Sequence, residues 1–162
     1  MLTKEFLSEK LSAGFPELKF EFSEFRDEIT VKLSKSFIVT VCDYLKNTEG
    51  LQFNYLEDIT AIDWARKKER FEVVYILFSI DLKQRLKVKV GVEEKDAKVD
   101  SVSVIWKAAN WFERETYDMY GITFNDHPDL RRMYMPEEFQ HHPLRKDYPL
   151  MGHPGDLSLP QK

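Results

Sequence analysis

ITAIDWARKKERFEVVYILFSIDLKQRLKVKVGV, residues 59–92, decides the fold. It holds runs of strand character at 59–64, 71–80 and 86–92, separated by polar turns at 66–69 and 81–84. A crossover between parallel strands takes about a dozen residues or more, so links this short dictate antiparallel neighbours. The middle run, FEVVYILFSI, is apolar on both faces; it is expected at the centre of the sheet with a helix over at least one side. In the last run Arg85, Lys87 and Lys89 alternate with Leu86, Val88 and Val90. That cationic side suits a solvent face, or an edge kept from pairing with another chain.

Upstream, Leu2, Phe6, Leu7 and Leu11 recur at helical spacing until Gly14 and Pro16 stop the run. Leu18, Phe20 and Phe22 then alternate with charges, a polar turn covers 24–27, and the alternation resumes at Ile29, Val31 and Leu33, the pattern of a strand hairpin. Ser34 or Ser36 can cap a helix through Phe37, Val41, Tyr44 and Leu45, although the β-branched run 38–41 also suits a strand. Cys42 there reads as a small buried apolar residue; a reactive thiol is the alternative, with no adjacent positive charge to support it.

Downstream, 93–96 is a charged, exposed link and 99–104 a short strand before Trp106. A last helix follows at about 108–120, with Arg114 placed to pair with Asp118 at i, i+4 and Gly121 as its C-terminal cap. Trp106, Trp111 and Phe112 read as core. Glu113 and Glu115 read as helix-surface charges with Arg114 as partner, rather than as an acid/base pair. Beyond Gly121 the chain changes character: six of its seven prolines and all four histidines lie there, among large apolar residues with no regular period. Structureless loops beyond roughly 12 to 15 residues usually serve function or stay disordered, and this one is too aromatic for simple disorder. The expected architecture is therefore an α+β domain over 1–121, with a mainly antiparallel sheet of about five strands and packed helices. An extended C-terminal arm over 122–162, ordered against another chain, follows it.

Length and composition bound the function. The 162 residues suit one domain, and a net charge of −4 with interspersed signs offers no field for nucleic acid. The basic clusters at 66–70, 131–132 and 145–146 lie near carboxylates and read as solvated turns or ion pairs. A single cysteine fits a reducing compartment and cannot hold an iron-sulfur cluster, which takes about four thiolates. The charged N-terminus is neither a secretory signal nor an anchor, and the longest apolar run, 73–78, is far short of the roughly 18 to 20 residues of a spanning helix. The glycines are too scattered for a phosphate loop, and there is no nucleophile elbow. A metal-dependent hydrolase using His127, His141 and His142 is one alternative. The spacing opposes it, since His141 and His142 are adjacent while His127, His142 and His153 each precede a proline and read as loop-shaping.

The stretch WFERETYDMYGITFNDHPDLRRMYMPEEFQHHPLRKDYP, residues 111–149, resembles the small cofactor-free hydrophilic subunit of respiratory NADH:quinone oxidoreductase, complex I. The likeness rests on Glu113-Arg114-Glu115 with Asp118, Met119 and Gly121, then HPDLRR at 127–132 and HPLRKDYP at 142–149, and upstream on FNYLEDITAIDW at 53–64. In the family pattern a glycine precedes each His-Pro, where this chain has Asp126 and His141. The resemblance implies a structural subunit of the peripheral arm of a proton-pumping complex at the cytoplasmic face of a bacterial inner membrane. It implies no catalysis by this chain and no redox centre in it. Flavin, iron-sulfur clusters and quinone would belong to partner subunits, among them the hydrogenase-like subunit that helps form the quinone site, and membrane contact would come only through the complex. The equivalent subunit of a membrane-bound hydrogenase or another quinone-linked oxidoreductase would look the same. Expected partner contacts are Glu113, Arg114, Glu115, Asp118, His127, Asp129, Arg131, Arg132, His142, Leu144, Arg145, Lys146, Asp147 and Tyr148, with Tyr134 and Phe139 as further anchors.

Overall fold

The computed structural model describes residues 2–153; residues 154–162 of the expected arm lie outside the described residues. Helix α1 (Lys4–Gly14) starts at Thr3, whose hydroxyl accepts from the Phe6 amide at 3.2 Å, and it buries Leu7 and Leu11. Strands β1 (Glu21–Phe25) and β2 (Glu28–Leu33) form the expected hairpin. Its turn residues Arg26 and Asp27 both take positive φ, 52° and 63°, the twist that two-residue hairpin turns require. Leu18 and Phe20 fall ahead of β1 and pack against the core from there.

A 3-10 turn (Lys35–Phe37) leads into α2 (Ile38–Asn47), so the helix prevails over the strand at this point. The expected serine cap does not form. Ser34 presents its carbonyl to the Phe37 amide at 3.1 Å, and its hydroxyl makes no capping bond. Ile38, Val41, Cys42 and Leu45 are fully buried on the inner side of α2.

The meander β3 (Tyr55–Asp63), β4 (Phe71–Ser79) and β5 (Gln84–Val92) is antiparallel throughout. The sheet order is β1-β2-β5-β4-β3, with β2 and β5 parallel. Its centre is therefore β5, and β4 stands one place from the edge, a correction to the sequence expectation. The cause is the long return from β2 through α2 and two strands, which brings β5 beside β2. The cationic side of β5 is also not an edge device. Arg85 reaches Glu57 and Glu28, Lys87 reaches Glu28, and Lys89 lies 3.4 Å from Glu72. Gly91 belongs to the same face. A Cβ there would overlap the Glu69 carboxylate, so its absence lets Glu69 cross β5 to Lys32 at 2.7 Å. On the other face, Val73, Tyr75 and Leu77 of β4 join Val88 and Val90 of β5 in one buried cluster with the apolar sides of α1 and α2.

A second 3-10 turn (Glu94–Asp96) precedes β6 (Lys98–Asp100), and α3 (Ala109–Tyr120) ends at Gly121 in the left-handed conformation, φ 73°. Strand β7 (Thr123–Asn125) then pairs in parallel with β6. Ile122 and Phe124, 0% and 2% exposed, belong to the core cluster. The regular fold thus runs to Asn125, past the boundary expected at 121. Helix α3 flanks the free edge of β3, where Thr116 Oγ1 donates to the Ile59 carbonyl at 3.1 Å.

Candidate functional site

Beyond β7 the described chain has no helix or strand, as its prolines dictate. It nevertheless does not stand away from the domain. Residues 127–148 run along α3 and tie themselves to it and to the end of β3, so this chain itself supplies much of the surface its apolar groups need. Asp126 takes φ 59°, a conformation that glycine adopts freely and aspartate tolerates, at a place where the family pattern has glycine.

Asp118 is the hub. It is fully buried, and its Oδ2 accepts from three successive amides, Met133 at 3.0 Å, Tyr134 at 2.7 Å and Met135 at 3.0 Å, while Arg132 donates to Oδ1 at 2.7 Å. Burial alone would raise its pKa; the amides of Met135 and Tyr134, then Arg132 and the Met133 amide, outweigh it and hold the carboxyl below the usual range. Arg114 does not pair with Asp118. It bonds the Arg131 and Arg132 carbonyls at 3.1 and 3.3 Å and stacks over Trp111 with 4.9 Å to the ring centroid. Trp111 is therefore not core but 59% exposed, whereas Trp106 is buried.

The second His-Pro block caps the helix. The last carbonyls of an α-helix lack intrahelical donors. Here Asp118 O accepts from His142 Nδ1 at 3.0 Å, Met119 O from the Leu144 amide at 3.1 Å, and Tyr120 O from Arg145 Nε at 2.6 Å. A Cβ on Gly121 would lie 2.5 Å from both Arg145 Nη2 and His142 Nε2, so this glycine serves the close approach as well as the helix end. Arg132 and Arg145 also place positive charge where the helix dipole favours it.

Next to that block, an ion cluster around buried Asp63 and Arg70 holds the C-terminal end of the segment. Asp63 Oδ1 and Oδ2 receive Arg70 at 3.0 and 2.8 Å, the Ala65 amide bonds Oδ1, and the Lys146 amide bonds Oδ2 at 2.8 Å. Arg70 also reaches Glu94 and Asp147, at 2.5 and 3.0 Å. Burial would raise Asp63, but the Arg70 hydrogen bonds and the Lys146 and Ala65 amides bring it down to about 2. Asp63 lies inside the upstream stretch 53–64; Arg70 and Ala65 reach it from seven and two positions away, whereas the Lys146 amide arrives from 83 positions along the chain, a return that no local pattern marks.

The remaining expected residues divide. Glu113 is not on the surface; it is fully buried, and burial lifts its carboxyl to about 7. His127 donates through Nε2 to the Asn110 carbonyl at 3.1 Å and accepts the Asp129 amide on Nδ1, a loop-shaping arrangement. Arg131 bonds exposed Asp129 at 2.9 Å. Tyr134 and Leu144 are 60% and 51% exposed; Phe139 is buried and Tyr148 half-buried, with 6.1 Å between their rings. Glu115 is half-buried and makes no ion pair among the described residues. His127 and His142 dock at opposite ends of α3, two turns and roughly 12 Å apart, so they do not converge with His141 on a metal. Among the described residues no group of three or more His, Cys, Asp and Glu is disposed to hold one.

The family model for "Respiratory-chain NADH dehydrogenase, 30 Kd subunit" matches residues 31–154, from β2 through the whole docked segment. The chain belongs to this family. It is 51% identical over 147 residues to the C-type subunit of the NADH-quinone oxidoreductase of Geobacter metallireducens, covering 90% of this chain and 87% of that protein. With a Candida albicans protein named mitochondrial NADH dehydrogenase [ubiquinone] iron-sulfur protein 3 it shares 41% identity over 143 residues, 88% of this chain and 51% of that one. Among solved structures, a trypsin-resistant fragment (1-134) of Nqo5 superposes with a TM-score of 0.65 at 32% identity, covering 78% of this chain and 98% of the fragment. A chain of the archaeal membrane-bound sulfane sulfur reductase complex gives 0.71 at 23% identity, with 91% of this chain and 86% of that one covered, a likeness of fold. The 30 Kd subunit family thus has the α+β architecture and the mixed five-stranded sheet described above.

Proposed function

We propose that this chain is a non-catalytic structural subunit of the peripheral arm of a proton-pumping NADH:quinone oxidoreductase. It supports electron transfer from NADH to quinone while binding no redox centre itself. The observation that carries this is the 51% identity to the Geobacter metallireducens protein over 90% of the chain. Although one relative's name speaks of an iron-sulfur protein, the single cysteine here is fully buried and burial raises its thiol pKa, the opposite of a thiolate ready to bind iron. Flavin, clusters and quinone then belong to neighbours, and the hydrogenase-like quinone-site subunit and iron-sulfur subunits are the partners. Among the described residues no helix is long and apolar enough to cross a membrane; in this proposal the chain attaches at the cytoplasmic face through the complex. The names of the close relatives favour NADH as donor over a hydrogenase-type complex.

Partner contact falls to the outward side of the docked segment. Trp111, Tyr134 and Leu144 offer exposed apolar anchors, and Glu115, Arg131 and Lys146 offer charges for directed hydrogen bonds. Buried Asp118 and the half-buried Arg132, His142 and Arg145 present that surface instead of touching the partner. The neighbour described as a trypsin-resistant fragment supports the division between a resistant domain and a trailing segment. A tagged copy taken from gently solubilised membranes should bring flavin- and cluster-bearing subunits with it. Recovery of the chain alone would overturn the proposal.

A further inference from the structure

Asp63 and Asp118 each face a guanidinium, but Glu113, equally buried, faces none among the described residues. Its hydrogen-bond partners are neutral: the Ser101 hydroxyl at 2.6 Å from Oε2 and the Val102 amide at 2.7 Å from Oε1. The charged and titratable groups nearby do not compensate. Asp100 comes from β6, Tyr75 from β4 and Cys42 from α2, all neutral or negative. Arg114 of α3 is turned to the Arg131 and Arg132 carbonyls, and Asp129 is paired with Arg131. His127 Nε2 lies 3.8 Å from Oε2, but its hydrogen bonds define the neutral imidazole: Nε2–H points to the Asn110 carbonyl and Nδ1 accepts the Asp129 amide. A second proton on that ring would set two donors against each other, so a proton arriving here settles on the carboxylate.

A path for that proton exists. Ser101 Oγ lies 2.7 Å from Ser103 Oγ, and Ser103 is partly exposed. We propose that Glu113 is a buried proton-binding site, loaded and emptied through the Ser103–Ser101 hydroxyl pair. With the carboxylate ionised, Ser103 donates to Ser101 and Ser101 to Oε2. A proton delivered to Ser103 Oγ by hydronium, which is left as water, releases the Ser103 proton to Ser101 and the Ser101 proton to Oε2. The chain of donors then runs in reverse, with one proton gained and no bond left broken. This site stands on the chain's own geometry and does not depend on the role proposed above.

Because the folded state holds this proton more tightly than the unfolded chain, the stabilisation is complete below the ordinary glutamate range, about 4.5, and is lost as pH rises through about 7. His127 and His142, both lowered chiefly by burial, act in the opposite direction, so the measurement is a difference. The full chain and Glu113→Gln are compared by denaturant unfolding. Between pH 5.5 and 8 the parent should lose roughly thirty-fold in folding equilibrium constant relative to the variant. Parallel curves would overturn the proposal. In the parent itself, whatever the variant's fate, carbon NMR of glutamate carboxyls should show one midpoint near 7. All glutamates titrating in the ordinary range would likewise reject the site. Ser103→Ala should keep that midpoint and slow its proton exchange; unchanged exchange would eliminate the hydroxyl path.

Discussion

Asp118 and Glu113 sit on one helix, both fully buried, and their carboxyls shift in opposite directions. Three amides and a guanidinium converge on the first; among the described residues two neutral donors reach the second. Asp118→Asn keeps the shape, but turns one acceptor into a donor facing buried donors. We expect a loss of about 2 to 4 kcal/mol and fast hydrogen exchange at the Met133, Tyr134 and Met135 amides with α3 intact. Unchanged protection of those amides would show that the carboxylate does not organise the loop. Sequence made these residues visible and misplaced them, because helix spacing pairs Arg114 with Asp118 while the donors to Asp118 come from fourteen to seventeen positions away. No local period encodes such a return.

At the scale of elements, the docked segment is held at the C-terminus of α3 and at the end of β3. Gly121→Ala should test the first point. It imposes a left-handed alanine at about 1 to 2 kcal/mol and a Cβ where Arg145 and His142 now lie, so tryptic cleavage after Arg145 and Lys146 should accelerate while the sheet persists. Cleavage at the parent rate would mean that the helix end does not anchor the segment. Asp63 tests the second. Its folded pKa of about 2 is depressed, so the stabilisation, about 2 kcal/mol, is present above the unfolded value and lost as pH falls from about 4 toward 2. Asp63→Asn should abolish that acid-dependent part of the unfolding curve. The meander was legible because short turns leave antiparallel neighbours as the only solution. The β2–β5 pairing was not, since nothing in either strand names its partner across the long return, and β7 was hidden because three residues are too few to show a period.

At the scale of the whole molecule, the chain presents one face of a self-docked segment, and its proposed work is to be assembled rather than to react. The family was legible from the short blocks around α3 because the same residues build the hub and the helix cap. The direct measurement is NADH:quinone activity and complex content, determined together, in membranes whose only copy of this protein bears Asp118→Asn or Gly121→Ala. A scaffold predicts less assembled complex in both variants and an unchanged turnover per complex that remains. Full assembly with reduced turnover per complex would contradict the account, because it would place chemistry or gating, rather than structure, in this chain.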